Sequence, residues 1–338
     1  MTTEPSAGSQ SPLTEGAVKA AVLMGGISEE RDISIQSGNC VAQALKEAGL
    51  NVALADIRPD NMDILRDGDI DVFFIALHGR FGEDGQLQQI LEDKSLLYTG
   101  SGPAASKLAF DKWASKKCFA EAGIDTPAAI QFDPKADAQQ LEKQLRQFAD
   151  VYVIKPLRQG STIGVTIVDD PHKAIATAQK TEDRFGDCMI EEFIKGREIT
   201  VGILENQSLP IIEIRSRTGF YDYRAKYIDE QTEYLFDTIV DAALTAEIKA
   251  AALDCFNALG CRVFGRVDFI LGDDRKAYVL EVNTIPGFTT HSLLPMAAAK
   301  AGFSMSQLCV KIIEAALENK NNRHFLFHRT VNSQYNSD

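Results

Sequence analysis

Between about residue 20 and residue 100, apolar runs of strand length alternate with a stretch of helical periodicity, which restricts this part of the chain to a parallel α/β arrangement. The runs are 20–24, 52–55 and 72–77, and apolar side chains recur at helical spacing over 30–48. The pattern then changes. Helical patterns at 107–122 and 137–149 accompany strands at 151–155 and 165–168, with a glycine-bearing, hairpin-like loop at 160–164 between those strands. Further strands are predicted at 199–204, 210–214, 263–271 and 277–282, with helices near 245–259 and 304–317. The reading is an N-terminal α/β unit over 19–103, a central unit over 104–192 and a C-terminal unit over 193–319. Polar tails at 1–18 and 320–338 flank them.

A chain of 338 residues is longer than one core usually serves, which agrees with several units. A net charge of −13 opposes binding to a polyanion, so nucleic acid is not expected as a partner. The six cysteines lie far apart without a Cys-x-x-Cys pair, as expected of reduced thiols in a cytosol. The first residues lack a signal-peptide core and the longest apolar runs are strand-sized, so neither export nor membrane insertion is expected.

The segment RVDFILGDDRKAYVLEVN is two strand-like runs around a Gly-Asp-Asp turn. Side chains alternate along a strand, so Glu281 and Asn283 share a face, and a hairpin partner sets Asp268 beside them. Three converging oxygen ligands suit magnesium at a phosphoryl-transfer site; the competing reading is a solvated hairpin face. An acid amid Val267, Phe269 and Ile270 favours the metal. Lys155 ends an apolar strand and precedes PLRQGSTIG, a small-residue loop suited either to closing over phosphates or to a plain hairpin. In IEEFIKGREIT, Glu191 and Glu192 end a strand and Glu198 follows. These acids either hold adenine and ribose or form a charged connection.

MGGISEERDIS places a Gly-Gly turn at the end of the first strand, with Ser28 as a helix cap and Glu30 in the first turn. Glu30 either holds an ammonium group or complements the helix dipole. ALHGRFGEDGQLQ repeats the arrangement, and His78 there reads as a turn histidine on its local sequence alone.

Taken in order, GGISEERDIS, LHGRFGEDG, YTGSG with FDK, KPLRQGSTIG, EEFIKGREIT, FYDYRAKY, GRVDF and EVNTIPGFTTHSLLP resemble the D-alanine–D-alanine ligase family. The resemblance implies a three-domain ATP-grasp fold, with nucleotide clasped between central and C-terminal α+β domains. It implies that ATP phosphorylates one D-alanine and that the amine of a second attacks the acyl-phosphate, for peptidoglycan precursors. On the same basis Lys112, Lys155 and Lys226 contact phosphates, and Glu191, Glu192, Phe193, Ile194 and Glu198 bind adenine and ribose. Asp268, Glu281 and Asn283 hold two magnesium or manganese ions. Glu30 and His78 take the first ammonium, Arg266 and the Gly287 N–H the oxyanion, and Ser292 with the Leu293 amide the second carboxylate. Tyr227 and Ser161 link to Glu30. A cytoplasmic homodimer is also implied. One departure is evident: the family's Tyr followed shortly by Pro-Ala is here Tyr234 leading into LFDTIVDAAL.

Overall fold

The computed structural model describes residues 18–215 and 232–318. In the first unit β1 (Lys19–Gly25) is the centre of a parallel sheet, with β2 (Asn51–Ile57) on one side and β3 (Val72–Ile75) on the other. Ala20 to Leu23 have no exposed surface because both faces of the strand are covered. Ala20, Val22 and Phe74 meet Val41 and Leu45 of α1 (Arg31–Glu47), whereas Ala21, Leu23 and Phe73 meet Leu87 and Leu91 of α2 (Gln86–Asp93). Small residues on α1 permit close approach: a Cβ at Gly38 would lie 2.6 Å from Met24 Cβ.

The helical pattern at 107–122 is two helices, α3 (Pro103–Phe110) and α4 (Lys112–Glu121). Asp111 breaks them with extended backbone, and its carboxylate accepts from the N–H groups of Trp113 (3.1 Å) and Ala114 (3.0 Å). An aspartate that satisfies the free donors of a new helix competes well with helix continuation. The break puts Lys112 at the start of α4.

The central sheet is antiparallel in the order β4-β7-β5-β6, from β4 (Ala129–Gln131), β5 (Tyr152–Pro156), β6 (Thr166–Val168) and β7 (Cys188–Glu192). Leu141 and Leu145 of α5 (Ala138–Phe148) and Ala174 and Ala178 of α6 (Pro171–Phe185) form its core with Tyr152, Ile154 and Ile190.

The largest sheet runs β11-β10-β8-β12-β13, with β9 (Gln207–Ser208) also on β8. Its strands are β8 (Gly196–Leu204), β10 (Ile212–Arg215), β11 (Glu233–Phe236), β12 (Phe264–Gly272) and β13 (Ala277–Asn283). Ile199, Val201, Val267 and Phe269 pack on Ile248 and Phe256 of α7 (Ala242–Ala258). Ala105, Ala109 and Phe119 belong to the same core, so α3 and α4, placed with the central unit by sequence, pack on this sheet. The other face receives α8 (Leu293–Lys300) and α9 (305–318), whose Leu294, Leu308 and Ile312 join the core of the first unit. Among the described residues no helix is long and apolar enough to cross a membrane.

Candidate active site

At the carboxyl ends of β1 and β3 lies a cavity of about 870 Å³. Gly25 and Gly26 turn the chain there with φ of +87° and +82°, and a Cβ at Gly25 would lie 2.2 Å from Asp56 Oδ1. Only glycine meets both demands. Ser28 does not cap α1 in the expected way; its hydroxyl donates to the His78 carbonyl (2.6 Å) and accepts from the Glu30 N–H (3.2 Å). Glu30 takes the N-cap position without capping. Its buried carboxylate instead accepts from the Ser161 hydroxyl, on the loop after β5. A Cβ at Gly79 or Gly160 would come within 2.9 or 2.8 Å of Glu30 Oε2, so two glycines shape its niche. At the N-cap the same carboxylate also lies at the positive end of the α1 dipole.

His78 is no surface turn residue. It is buried, with Nδ1 donating to the Ile285 carbonyl (3.0 Å), Nε2 3.0 Å from Ser37 Oγ, and Glu83 Oε1 3.5 Å from Nδ1. Burial pushes the Glu83 carboxyl up to about 7, with the charges of Glu30 and Glu281 adding to it against the His78 hydrogen bond. Burial works against the imidazolium of His78, but the hydrogen bond and charge of Glu83 outweigh it and hold the ring above its ordinary value.

On the far wall, Ser292 precedes α8 and Leu293 is its first residue. The Ser292 hydroxyl accepts from the Thr289 N–H (2.9 Å), which leaves the first N–H groups of α8 without a side-chain cap at the cavity edge. Such a helix start favours a carboxylate. Gly287 faces Ser292 closely: a Cβ there would lie 2.6 Å from Ser292 Oγ.

A second cavity, of about 350 Å³, opens between the central and largest sheets. Phe193, Ile194, Ile167 and Leu280 supply apolar walls, while Lys155, Glu191, Glu192 and Glu198 supply polar ones. Lys155 pairs with Glu191 across β5 and β7, and Lys116 reaches the same carboxylate from α4 at 2.6 Å. Although burial opposes it, the two ammonium groups hold the Glu191 carboxyl below the usual range. Burial lowers Lys116 in turn, against the pull of Glu191. One buried carboxylate between two lysines leaves a net positive charge, which suits phosphates.

The two cavities share Lys112, Gln159 and Glu281. Asp268 and Glu281 are register partners on β12 and β13, as are Arg266 and Asn283. The register shifts by a bulge at Asp268/Phe269, and Leu280 and Glu281 both line the second cavity. Arg266 grips both oxygens of Asp268 (2.8 and 2.7 Å), Thr200 donates to Oδ1 (2.6 Å), and Lys112 Nζ lies 2.7 Å from Glu281. Among the described residues no three His, Cys, Asp or Glu side chains form a metal cage. Two carboxylates and the Asn283 amide, oxygen donors where the two cavities meet, nevertheless fit magnesium, which keeps most of its shell for water and phosphate.

Lys226 and Tyr227 lie outside the described residues. The departure after Tyr234 has a local explanation. Asp237, three residues on, adopts φ +60°, which a proline ring cannot, and its carboxylate binds Lys300 Nζ at 2.6 Å. Glu83, Lys116 and Gln159 were not singled out from sequence. Lys116 was accessible, being one helical turn beyond Lys112.

Three sheets, with two cavities that meet at the β12–β13 hairpin, are the architecture of an ATP-grasp ligase. A family model described as the D-ala D-ala ligase C-terminus matches residues 118–314. A D-alanine–D-alanine ligase of Methylacidiphilum infernorum is 42% identical over 294 residues, spanning 87% of this chain and 94% of that protein. The structure of the Bacillus anthracis D-alanine–D-alanine ligase complexed with ATP aligns with a TM-score of 0.80 at 36% identity, over 91% of this chain and all of that one. The VanG D-Ala:D-Ser ligase of Enterococcus faecalis aligns at 0.77 with 27% identity, over 88% of this chain and 99% of its own. The chain therefore belongs to the D-alanine–D-alanine ligase family.

Proposed function

We propose that the chain joins two D-alanine molecules at the expense of ATP, through a D-alanyl-phosphate, as a cytosolic step toward peptidoglycan. The observation that carries this reading is the shared wall: Lys112, Gln159 and Glu281 border both the cavity lined by Lys155 and Glu191 and the one holding Glu30. A phosphoryl group placed at that wall has a nucleotide on one side and a carboxylate acceptor on the other. Adenine would lie against Phe193 and Ile194 beside Glu191 and Glu192, its ribose toward Glu198, and the phosphates toward Lys155 and Lys112. Lys226, from its sequence position, would reach the transferred group.

Glu30 would hold the ammonium of the first D-alanine, with His78 behind it and Ser161 and Tyr227 fixing its carboxylate. A free carboxylate is a poor electrophile, so phosphorylation precedes attack. Asp268, Glu281 and Asn283 would hold two magnesium or manganese ions, which neutralise phosphate charge when bound. Arg266 and the Gly287 N–H would stabilise the tetrahedral oxyanion, the kind of preorganised donor that lowers such barriers most. Ser292 and the Leu293 N–H would orient the second carboxylate, leaving its amine facing the acyl carbon. The test is product identification by mass spectrometry after incubation with ATP, magnesium and D-alanine, D-serine or D-lactate. D-alanyl-D-alanine as the dominant product is expected; its absence, or an ester or D-serine product in its place, overturns the assignment.

A further inference from the structure

Ser37 has no place in the chemistry described so far, yet it joins three parts of the site. It is fully buried on α1, its Oγ accepts from the Phe288 N–H at 3.2 Å, and it lies 3.0 Å from His78 Nε2. These partners are 251 and 41 residues away in sequence. His78 in turn donates through Nδ1 to the Ile285 carbonyl. A carbonyl only accepts, so Nδ1 carries a proton, and the Ser37 hydroxyl is then free to donate to Nε2 while accepting from Phe288. The Ile285–Pro286 peptide is thus held by His78 and the Gly287–Phe288 peptide by Ser37. Between them lies the peptide that carries the Gly287 N–H.

We propose that Ser37 is a positioning residue that, with His78, clamps the 285–288 segment from the first unit and so aims the Gly287 N–H at the oxyanion. The proposal rests on the ligase reading above. Its physical basis is that a donor stabilises a developing charge only when its direction is fixed in advance, and a glycine between two proline-flanked or free peptides does not fix itself. Two hydrogen bonds on the flanking peptide planes do so without any contact with substrate. The neighbour Ser34 supplies a control on the same helix face. It too is fully buried, but its hydroxyl accepts from the Gly25 N–H (2.9 Å) and donates to the Ala76 carbonyl (2.7 Å), within the first unit alone.

Ser37→Ala and Ser34→Ala are to be compared with the wild-type protein by kinetics, binding and hydrogen exchange. Alanine suits a helix, and each variant gives up one buried hydroxyl, so similar falls in melting temperature are expected. Ser37→Ala should lower kcat about ten- to a hundredfold with little change in the KM for the first D-alanine. It should weaken a tetrahedral phosphinate analogue of the dipeptide by a similar factor, because only the tetrahedral species uses the oxyanion donor. The Phe288 amide should exchange faster in Ser37→Ala and at the wild-type rate in Ser34→Ala, a measurement that needs no turnover. Absence of dipeptide with the wild-type protein is a failure of the ligase reading, recognised before any variant is compared. Wild-type kcat in Ser37→Ala, equal losses in both variants, or unchanged exchange at Phe288 overturns the clamp.

Discussion

The Ser161 hydroxyl donates to the Glu30 carboxylate, tying the loop after β5 to the start of α1 across 131 residues of sequence. Ser161 and the following Thr162 both hold left-handed backbone, with φ of 52° and 61°. Non-glycine residues rarely adopt that region, and a β-branched threonine least of all. The local cost marks a turn whose geometry is imposed by what Ser161 must reach.

Glu30→Gln removes the charge but keeps the shape. A charge-assisted contact with an ammonium contributes roughly 1.5 to 3 kcal/mol, so the KM for D-alanine should rise about tenfold or more. ATP affinity, measured by calorimetry, should hardly change. Equal weakening of both ligands would point to a general defect of folding instead.

Glu281→Gln should leave the thermal melt close to that of the wild-type protein, since the residue is partly exposed at the cavity wall. Turnover should fall by about two orders of magnitude or more, the scale of lost charge stabilisation at phosphoryl transfer. Retained turnover at ordinary magnesium concentration is the result that sinks its role as a metal ligand.

The raised carboxyl of Glu83 makes a stability prediction with a defined sign. Because its folded value of about 7 exceeds the ordinary 4.5, the folded state holds a proton that the unfolded state has lost. Stability therefore falls as pH rises from the unfolded value through about 7, and the raised His78 adds a loss of the same sign. Glu83→Gln, which keeps the neutral shape, should melt above the wild-type protein at pH 8 and lose that advantage as pH drops toward 5. A melting difference that does not vary with pH would refute this account.

Asp237→Pro should destabilise by more than about 1 kcal/mol, since the ring cannot take φ +60°. Asp237→Gly should be nearly neutral, because glycine relieves the backbone strain while the exposed pair with Lys300 contributes only about 0 to 1 kcal/mol. Denaturant midpoints distinguish the two, and equal midpoints would dismiss the backbone explanation.

Much of the fold was legible where one period dominated. β1 and β3 are continuous apolar runs, and β12 with β13 showed an acid and an amide on one face, so their register pairing of Asp268 with Glu281 followed. The α3–α4 break was hidden because Asp111 is as compatible with helix periodicity as with a cap, and only tertiary packing decides. The short strands β4 and β11 carry too few residues to show a period. Glu30 and His78 illustrate the same limit in the site. Locally each had an ordinary explanation, and what distinguishes them is a partner 131 or 207 residues away. Ser37 offered no signal at all, being one small polar residue on an amphipathic helix.

Lys112, Gln159 and Glu281 are walls of two chambers at once. A partition made of side chains cannot respond to one tenant alone. Were a phosphate to draw Lys112 away from Glu281, the face that the other chamber sees would change, and the reverse displacement would carry the same free energy. By linkage, whatever factor the nucleotide applies to the affinity for the first amino acid, that amino acid must return to the nucleotide.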